Sequence, residues 1–398
     1  AAAARAGGVA GPAIIVEDRT SIVLAAGWRL EPGVGGDLRA RRVAAAAPAA
    51  VAPGSTVVRR ELTARRLRAI AVEMGEQLRR TSRSVNVRER LDFSCGVLDA
   101  EGRLLASAPH VPVHLGALGA CVRAVMAADR WNAGDMVVVN HPAFGGSHLP
   151  DVTVLAPVDD EAGRRLGWVA ARAHHAEIGG RRPGSMVPSA RSLVEEGVVF
   201  PPMRIVAAGR DRLERVATML NSGPHPARRP ADNLADLRAQ IAACRRGIDG
   251  MRSLAAAIGP EALADDAAAM LAVSRGMVTA ALAPFAGRTL EAEDRLDDGS
   301  PVAVRITVPD GPGRDRPVID FAGSGPTHPG PFNAPRAVTA SAVTYALRLL
   351  VDADVSLDDG LLDAVHLRIP PGMLDPVFDA DPAACPAVAA GNVETSQR

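Results

Sequence analysis

Apolar and polar positions along the chain change period several times, and each change predicts an element. Leu62, Leu67, Ile70, Met74 and Leu78 recur at helical spacing, which predicts a long helix over 61–80. Residues 93–98 then read as a strand. Residues 152–158 are a β-branched run and 166–173 a second apolar run, with a polar, glycine-containing stretch at 159–165 between them. That pattern predicts one β-hairpin. Two Ala- and Arg-rich stretches, 234–258 and 260–282, read as packing or subunit-contact helices. Strands return at 302–308 and 317–321. The Ala-Gly-Ser-Gly turn at 322–325 follows, ahead of a helix at 337–350; it either binds an anion through backbone N–H groups or is a simple connector. Near the start, 11–30 reads as two short strands around a turn at 17–19, followed by an Arg-, Ala- and Pro-rich linker. Hairpins and long helices without regular βαβ alternation predict an α/β fold of the mixed α+β kind, with mixed sheets.

Composition narrows the function classes. A chain of 398 residues with 47% hydrophobic content can bury one or two sizeable cores. Acidic and basic residues balance at 45 each, so no basic field draws nucleic acid or an anionic membrane, and 3% aromatics leave little for base stacking. Every basic residue apart from histidine is arginine. Without lysine there is no P-loop, Schiff-base, pyridoxal or biotinyl chemistry. Cys95, Cys121, Cys244 and Cys385 are widely separated with no CxxC pair, which predicts reduced thiols in a cytoplasmic protein. Cys95 reads as a small core residue of its strand. No run of 18 apolar residues exists, and the Ala-rich start lacks the order of a signal peptide, so no membrane partner is expected.

Candidate chemistry concentrates in residues 140–180. If the hairpin folds symmetrically about Ala162 and Gly163, Asp151 lies opposite His174 at its base. Residues three apart on a strand face opposite ways, but Pro150 breaks the ladder and Gly145-Gly146 permits a bend, so His148 can turn to the same point. Two imidazoles and a carboxylate suit a divalent ion such as Zn or Mn; the alternative is histidines satisfied by ordinary hydrogen bonds. His110 and His114 sit in a segment where Pro109 and Pro112 disfavour a helix. Their even spacing puts them on one face of an extended chain, either reaching the cleft or serving structure.

Four strings carry a resemblance: RERLDFSCGVLDAEGRLLASAPHVPVHLGAL (88–118), VNHPAFGGSHLPDVTVLAPV (139–158), RAHHAEIGGRRPGSM (172–186) and GNVETSQR (391–398). Together they resemble the hydantoinase B / oxoprolinase family over roughly residues 58–398. The resemblance implies a divalent metal, Mn or Zn, held by Asp92, His148, Asp151 and His174, three of which the hairpin geometry reaches unaided. It implies the hydrolytic half of an ATP-dependent cyclic-amide hydrolase that opens a 5-oxoproline or hydantoin ring, with His175, Glu177 or His110 moving the proton. ATP would be used by a hydantoinase A-type domain, which phosphorylates the ring carbonyl oxygen, and not by this chain alone. Residues 11–30 resemble the extreme C-terminal end of that A-type family. The expected organisation is therefore an A-type tail at 1–38, a linker at 39–57 and a B-type domain at 58–398, truncated at its C-terminus. The A-type domain is expected upstream or as a separate subunit of a hetero-oligomer.

The chain departs from the family in two places, with Asn140-His141-Pro142 where Asn-Asp-Pro is usual and Glu177 where Asp is usual. His141 is thus a substitute ligand, a substrate contact or a surface change. Two other readings are an acetone carboxylase-type subunit and a non-catalytic assembly subunit. The first is disfavoured by His174-His175-Ala176-Glu177 standing where HQYD is expected, the second by the intact ligand set.

Overall fold

The computed structural model of the chain describes all residues except 1–7, 17–20, 34, 36, 44–55, 109–110, 112–113, 185, 312–314 and 352–355. The turn expected at 17–19, most of the expected linker, and His110 therefore lie outside the described residues. The chain divides into two units, Ala1–Arg59 and Arg60–Arg398.

The first unit is all β among its described residues up to 43. Strands β1 (Val9–Ala10), β4 (Trp28–Pro32) and β5 (Leu38–Arg42) form a three-stranded sheet, while β2 (Ala13–Val16) and β3 (Ser21–Leu24) pair as an antiparallel hairpin. Ile15, Leu24 and Leu30 make its small core.

In the second unit, strands β6 (Phe93–Leu98), β7 (Leu104–Ser107), β8 (Met136–Val139), β9 (Asp151–Asp159), β10 (Arg165–His174), β11 (Met203–Ala207) and β12 (Arg210–Asp211) form one seven-stranded sheet. Its order is β12-β11-β8-β9-β10-β6-β7, and every pairing is antiparallel. The mixed character expected from sequence belongs instead to a smaller sheet of β13 (Thr289–Arg295), β14 (Pro301–Thr307), β15 (Val318–Asp320) and β16 (His366–Arg368), where β15 and β16 run parallel.

The described helices longer than one turn or bearing on the site are α1 (Thr56–Thr81), α2 (Val85–Arg88), α3 (Leu115–Ala128), α4 (Leu193–Glu196), α5 (Glu214–Leu220), α6 (Pro230–Ile258), α7 (Pro260–Leu282) and α8 (Arg336–Leu350). Proline opens both α6 and α7, where its missing N–H costs nothing, and Gly259 at φ +89° separates them.

The central hairpin β9–β10 is covered on both faces, which explains why its two strands read as nearly continuous apolar runs. On one face Val152, Val154, Val169 and Ala171 pack with Leu67, Met74 and Leu78 of α1 and Leu237, Ile241 and Cys244 of α6. On the other, Leu155, Trp168 and Ala170 pack with Leu118, Val122 and Val125 of α3. Gly247 lets α6 lie this close: a Cβ there would sit 2.4 Å from Met74 Sδ and 2.9 Å from Val169.

Within Pro260–Phe285 an 18-residue window reaches a mean hydropathy of 1.4, enough by length and composition to cross a membrane. Two buried polar groups of that helix are nonetheless bonded within the protein. Thr63 donates to buried Asp266 (2.8 Å) and Ser274 to Asp358 (2.7 Å). The turn at 322–325 is a connector: Ala322 N–H donates to Asp320, Ser324 N–H to the Phe321 carbonyl and Gly325 N–H to the Pro301 carbonyl, leaving those donors unavailable to an anion.

Candidate metal centre

The β9–β10 ladder pairs His174 with Asp151 at the open end of the hairpin, placing both side chains on one face. Two positions along the same face, Arg172 pairs with Thr153, donating from Nε to the Thr153 hydroxyl (2.8 Å). Arg172 is fully buried, and its NH2 donates to the Gly145 carbonyl (2.8 Å). This bond ties the loop that carries His148 to the sheet.

That loop is shaped residue by residue. Asn140 side-chain N–H donates to the carbonyls of Leu149 (2.8 Å) and Val198 (3.0 Å), while its oxygen accepts from Phe200 N–H (2.6 Å). Gly145 takes φ +79°, and a Cβ there would fall 2.6 Å from the Cys121 backbone. Only glycine allows both the conformation and the approach. His141 Nδ1 accepts from Ala143 N–H (3.1 Å), capping the short turn Pro142–Phe144, and its ring meets Phe144 and Phe378 edge-on. An aspartate would supply the same cap acceptor, so His141 replaces it structurally. Burial lowers the His141 pKa, keeping the neutral, accepting form.

The loop delivers His148 to the base of the hairpin. One ligating atom from each of His148, Asp151 and His174 lies within 4.8 Å of the others, and the same holds for Asp92, His114 and Asp151. Asp151 belongs to both groups. His148 Nε2 is 3.5 Å and His114 Nε2 3.3 Å from Asp151 Oδ2, which also accepts from the Ser147 hydroxyl. The rings of His148 and His174 stand 5.0 Å apart. Asp92 enters from the turn before β6, where Leu91 adopts φ +56°, an uncommon conformation for leucine, and its carbonyl accepts from His174 N–H (3.0 Å). The cluster thus holds the four residues expected as ligands together with His114, whose Nδ1 is 2.9 Å from the Ser94 hydroxyl.

Electrostatics tune these groups strongly. Burial opposes ionisation of Asp151, but His114 and His148 beside it hold its pKa well below the usual carboxylate range. Burial likewise disfavours a charged His148; attraction to Asp151, Glu196 and Asp92 outweighs it and raises the pKa. His174 moves the other way, lowered by burial and by the His148 charge. Asn86 Nδ2 is 2.8 Å from His174 Nδ1, a contact that holds the ring, with donor and acceptor set by the His174 tautomer. A buried Asp151 Oδ1 has no hydrogen-bond partner among the described residues. An orphaned carboxylate oxygen amid imidazoles and a second carboxylate is the donor set of a hard or borderline divalent ion, and the site fits one.

Two residues expected to move protons have other hydrogen-bond partners in the structure. His175 projects to the opposite face, where Nε2 is 3.1 Å from Gln240 Oε1 and Nδ1 is 3.0 Å from Asn233 Nδ2, both on α6. Gln240 in turn donates to the carbonyls of Val152 (2.8 Å) and Ala171 (2.7 Å), stitching α6 to the hairpin. Glu177 accepts from the backbone N–H of Gly179 (3.0 Å), Arg228 (2.5 Å) and Arg229 (3.2 Å) and pairs with the Arg228 guanidinium (3.1 Å). It fastens the loop after β10 to the start of α6.

Sequence reasoning missed Glu196 at the end of α4. It is 1% exposed, and burial pushes its carboxyl up to about 7. Oε1 accepts from the backbone N–H of Val388 (3.0 Å) and Ala389 (2.8 Å). Nothing local marks it, because its partners lie far along the chain.

A model of the hydantoinase B/oxoprolinase family matches residues 57–398. The 5-oxoprolinase of Saccharomyces cerevisiae is 40% identical over 343 residues, covering 83% of this chain and 26% of the relative. 5-Oxoprolinase 1 of Arabidopsis thaliana is 37% identical over 415 residues, covering 98% of this chain and 32% of the relative. The chain thus spans between a quarter and a third of the length of these two curated relatives. Among solved structures, the ATP-dependent caprolactamase from Pseudomonas jessenii superposes with a TM-score of 0.75 at 21% identity, over 86% of this chain and 59% of that one. The nucleotide-free acetone carboxylase structure gives 0.70 at 19%, over 84% and 46%. These two share the mixed α/β fold. On the family match and the relatives' identity, the chain belongs to the hydantoinase B/oxoprolinase family.

Proposed function

We propose that this chain is the metal-dependent hydrolytic half of an ATP-dependent cyclic-amide hydrolase, opening a 5-oxoproline or hydantoin ring. The observation that carries the reading is the meeting of two donor groups at Asp151, one with His148 and His174 and one with Asp92 and His114, while Asp151 Oδ1 stays unpartnered among the described residues, in a family whose similar members include 5-oxoprolinases. Asp92, His148, Asp151 and His174 would hold Mn or Zn. When bound, such an ion supplies Lewis acidity, lowering the pKa of water and polarising a carbonyl oxygen.

The chain's own residues build the surroundings. Ser147 and His114 hold Asp151 in place by hydrogen bonding to Oδ2, Asn86 fixes the His174 ring, and Arg172 anchors the loop bearing His148. With His175 and Glu177 engaged in structure, His114, buried between Ser94 and Asp151, is the described imidazole outside the four ligands that is placed to hold a proton at the site. A cyclic amide resists hydrolysis until its carbonyl oxygen is activated, and a chain without lysine leaves ATP-dependent activation to an A-type domain, fused or separate. The four cysteines are free and buried, which supports a cytoplasmic setting.

The test assembles the chain with its A-type domain and measures phosphate and ring-opened product separately. His174→Ala should abolish ring opening while ATP turnover survives. Full coupled activity in that variant, or ATP-dependent ring opening by this chain alone, would contradict the reading.

A further inference from the structure

Arg172 is fully buried, yet it forms no ion pair with a carboxylate among the described residues. Nε donates to the Thr153 hydroxyl and NH2 to the Gly145 carbonyl, while NH1, also buried, has no hydrogen-bond partner among the described residues. Burial pushes the neighbouring Cys121 thiol up, so it stays neutral and supplies no counter-charge. A buried guanidinium left without an anion is costly, and an unsatisfied donor on it calls for a partner that the protein itself does not provide.

The place of Arg172 in the sheet points to that partner. Arg172 and Thr153 form a row of the β9–β10 ladder two residues in from Asp151 and His174, on the same face, and Ser94 of β6 completes the row. Two residues along a strand span roughly 7 Å, a reach that a five-membered ring with one substituent can bridge. Asp92 and His174 are only partly buried, so the cluster is reached from the open end of the hairpin and the guanidinium lies one row further in. A divalent ion would match the charges of Asp92 and Asp151, which leaves the Arg172 charge for an anionic group on the substrate.

Of the two rings named above, 5-oxoproline carries a carboxylate and hydantoin does not. We propose that Arg172 is a specificity-determining residue that binds this carboxylate through NH1, so that the site takes cyclic amides bearing an acid group on the ring. The inference rests on the proposed hydrolytic function and deepens it by naming the substrate class. Arg172→Met separates this role from anchoring the loop at Gly145: loss of the anchor acts alike on charged and uncharged rings, whereas loss of the charge acts on the charged ring alone. Arg172→Lys keeps the charge without the planar fork.

The experiment is calorimetric titration of the full chain, metal-free and loaded with Mn, with 5-oxoproline, with 2-pyrrolidone, which is the same ring without the carboxylate, and with inorganic phosphate. The wild-type chain should bind 5-oxoproline roughly 10–100-fold more tightly than 2-pyrrolidone. Arg172→Met should erase that preference and Arg172→Lys keep part of it. Equal affinity for the two rings in the wild type, or a preference that survives in Arg172→Met, would overturn the proposal. Inorganic phosphate binding more tightly than 5-oxoproline, and losing that affinity in Arg172→Met, would assign NH1 to a phosphoryl group and overturn the carboxylate reading. Should Arg172→Met fail to fold, the wild-type preference alone decides. Metal content measured alongside keeps the two readings apart. A chain that takes up no metal yet shows the Arg172-dependent preference would sink the metal-site reading and leave this one standing, and a metal-loaded chain without the preference would do the reverse.

Discussion

His174 and His175 are chain neighbours with opposite fates. His174 faces a cluster in which Asp151 Oδ1 is buried without a hydrogen-bond partner among the described residues, whereas both ring nitrogens of His175 are matched by Gln240 and Asn233. The first face leaves a ligand-type carboxylate oxygen open, whereas the second is closed around its imidazole, where the unpaired atom is the Asn233 amide oxygen. Buried polar groups are ordinarily paired, so an unpaired one beside metal-type donors marks where a ligand belongs, and a fully paired one marks a joint in the fold. Adjacent residues on an extended chain can divide these duties because their side chains point opposite ways.

The comparison breaks most sharply at Asp151, which belongs to both ligand groups. Asp151→Asn should weaken Mn or Zn binding by more than about 100-fold, since it removes a charged ligand from a buried site. Titration of metal into the purified chain reads this directly, and affinity within a few-fold of wild type would show that the cluster is not the site.

On the closed face the expectation is inverted. His175→Ala should leave metal affinity nearly unchanged but lower stability by about 2–4 kcal/mol, because it opens a cavity and strips a partner from buried Gln240. Denaturant unfolding measures the loss; a wild-type midpoint together with lost metal would reverse the assignment. The smallest effect is expected at Glu177. Glu177→Gln weakens charge-assisted bonds to the loop at Arg228 and Arg229 and should cost about 1–2 kcal/mol, with metal binding intact. A metal defect in that variant would restore Glu177 to the centre.

How much of this was legible depends on where each residue's partners lie. Asp151 and His174 were readable because a hairpin symmetric about its turn fixes which residues meet, and the structure pairs them. His148 was readable because Pro150 and the glycine pair announce a bend. Asp92 was reached only through resemblance: its position depends on pairing of β6 with β10 and on the uncommon backbone of Leu91, which no local pattern reports. Glu177 and His175 invited a chemical role by sitting beside a ligand, while their actual partners, Asn233, Gln240, Arg228 and Arg229, lie in or just before α6. Glu196 gave no signal for the same reason. The helices predicted at 61–80, 234–258, 260–282 and 337–350 emerged close to those bounds because period is local, whereas α3 and α5 were not predicted, and the antiparallel character of the large sheet required strand order, which is not local.

The central claim is that the open face of this hairpin holds a metal and the closed face does not. The most direct test is elemental analysis of the wild-type chain, His174→Ala and His175→Ala after incubation with Mn or Zn and removal of excess. The account predicts about one bound ion per chain in the wild type and in His175→Ala, and essentially none in His174→Ala. A wild-type chain that stays metal-free, or loss of the ion in His175→Ala with retention in His174→Ala, would contradict it.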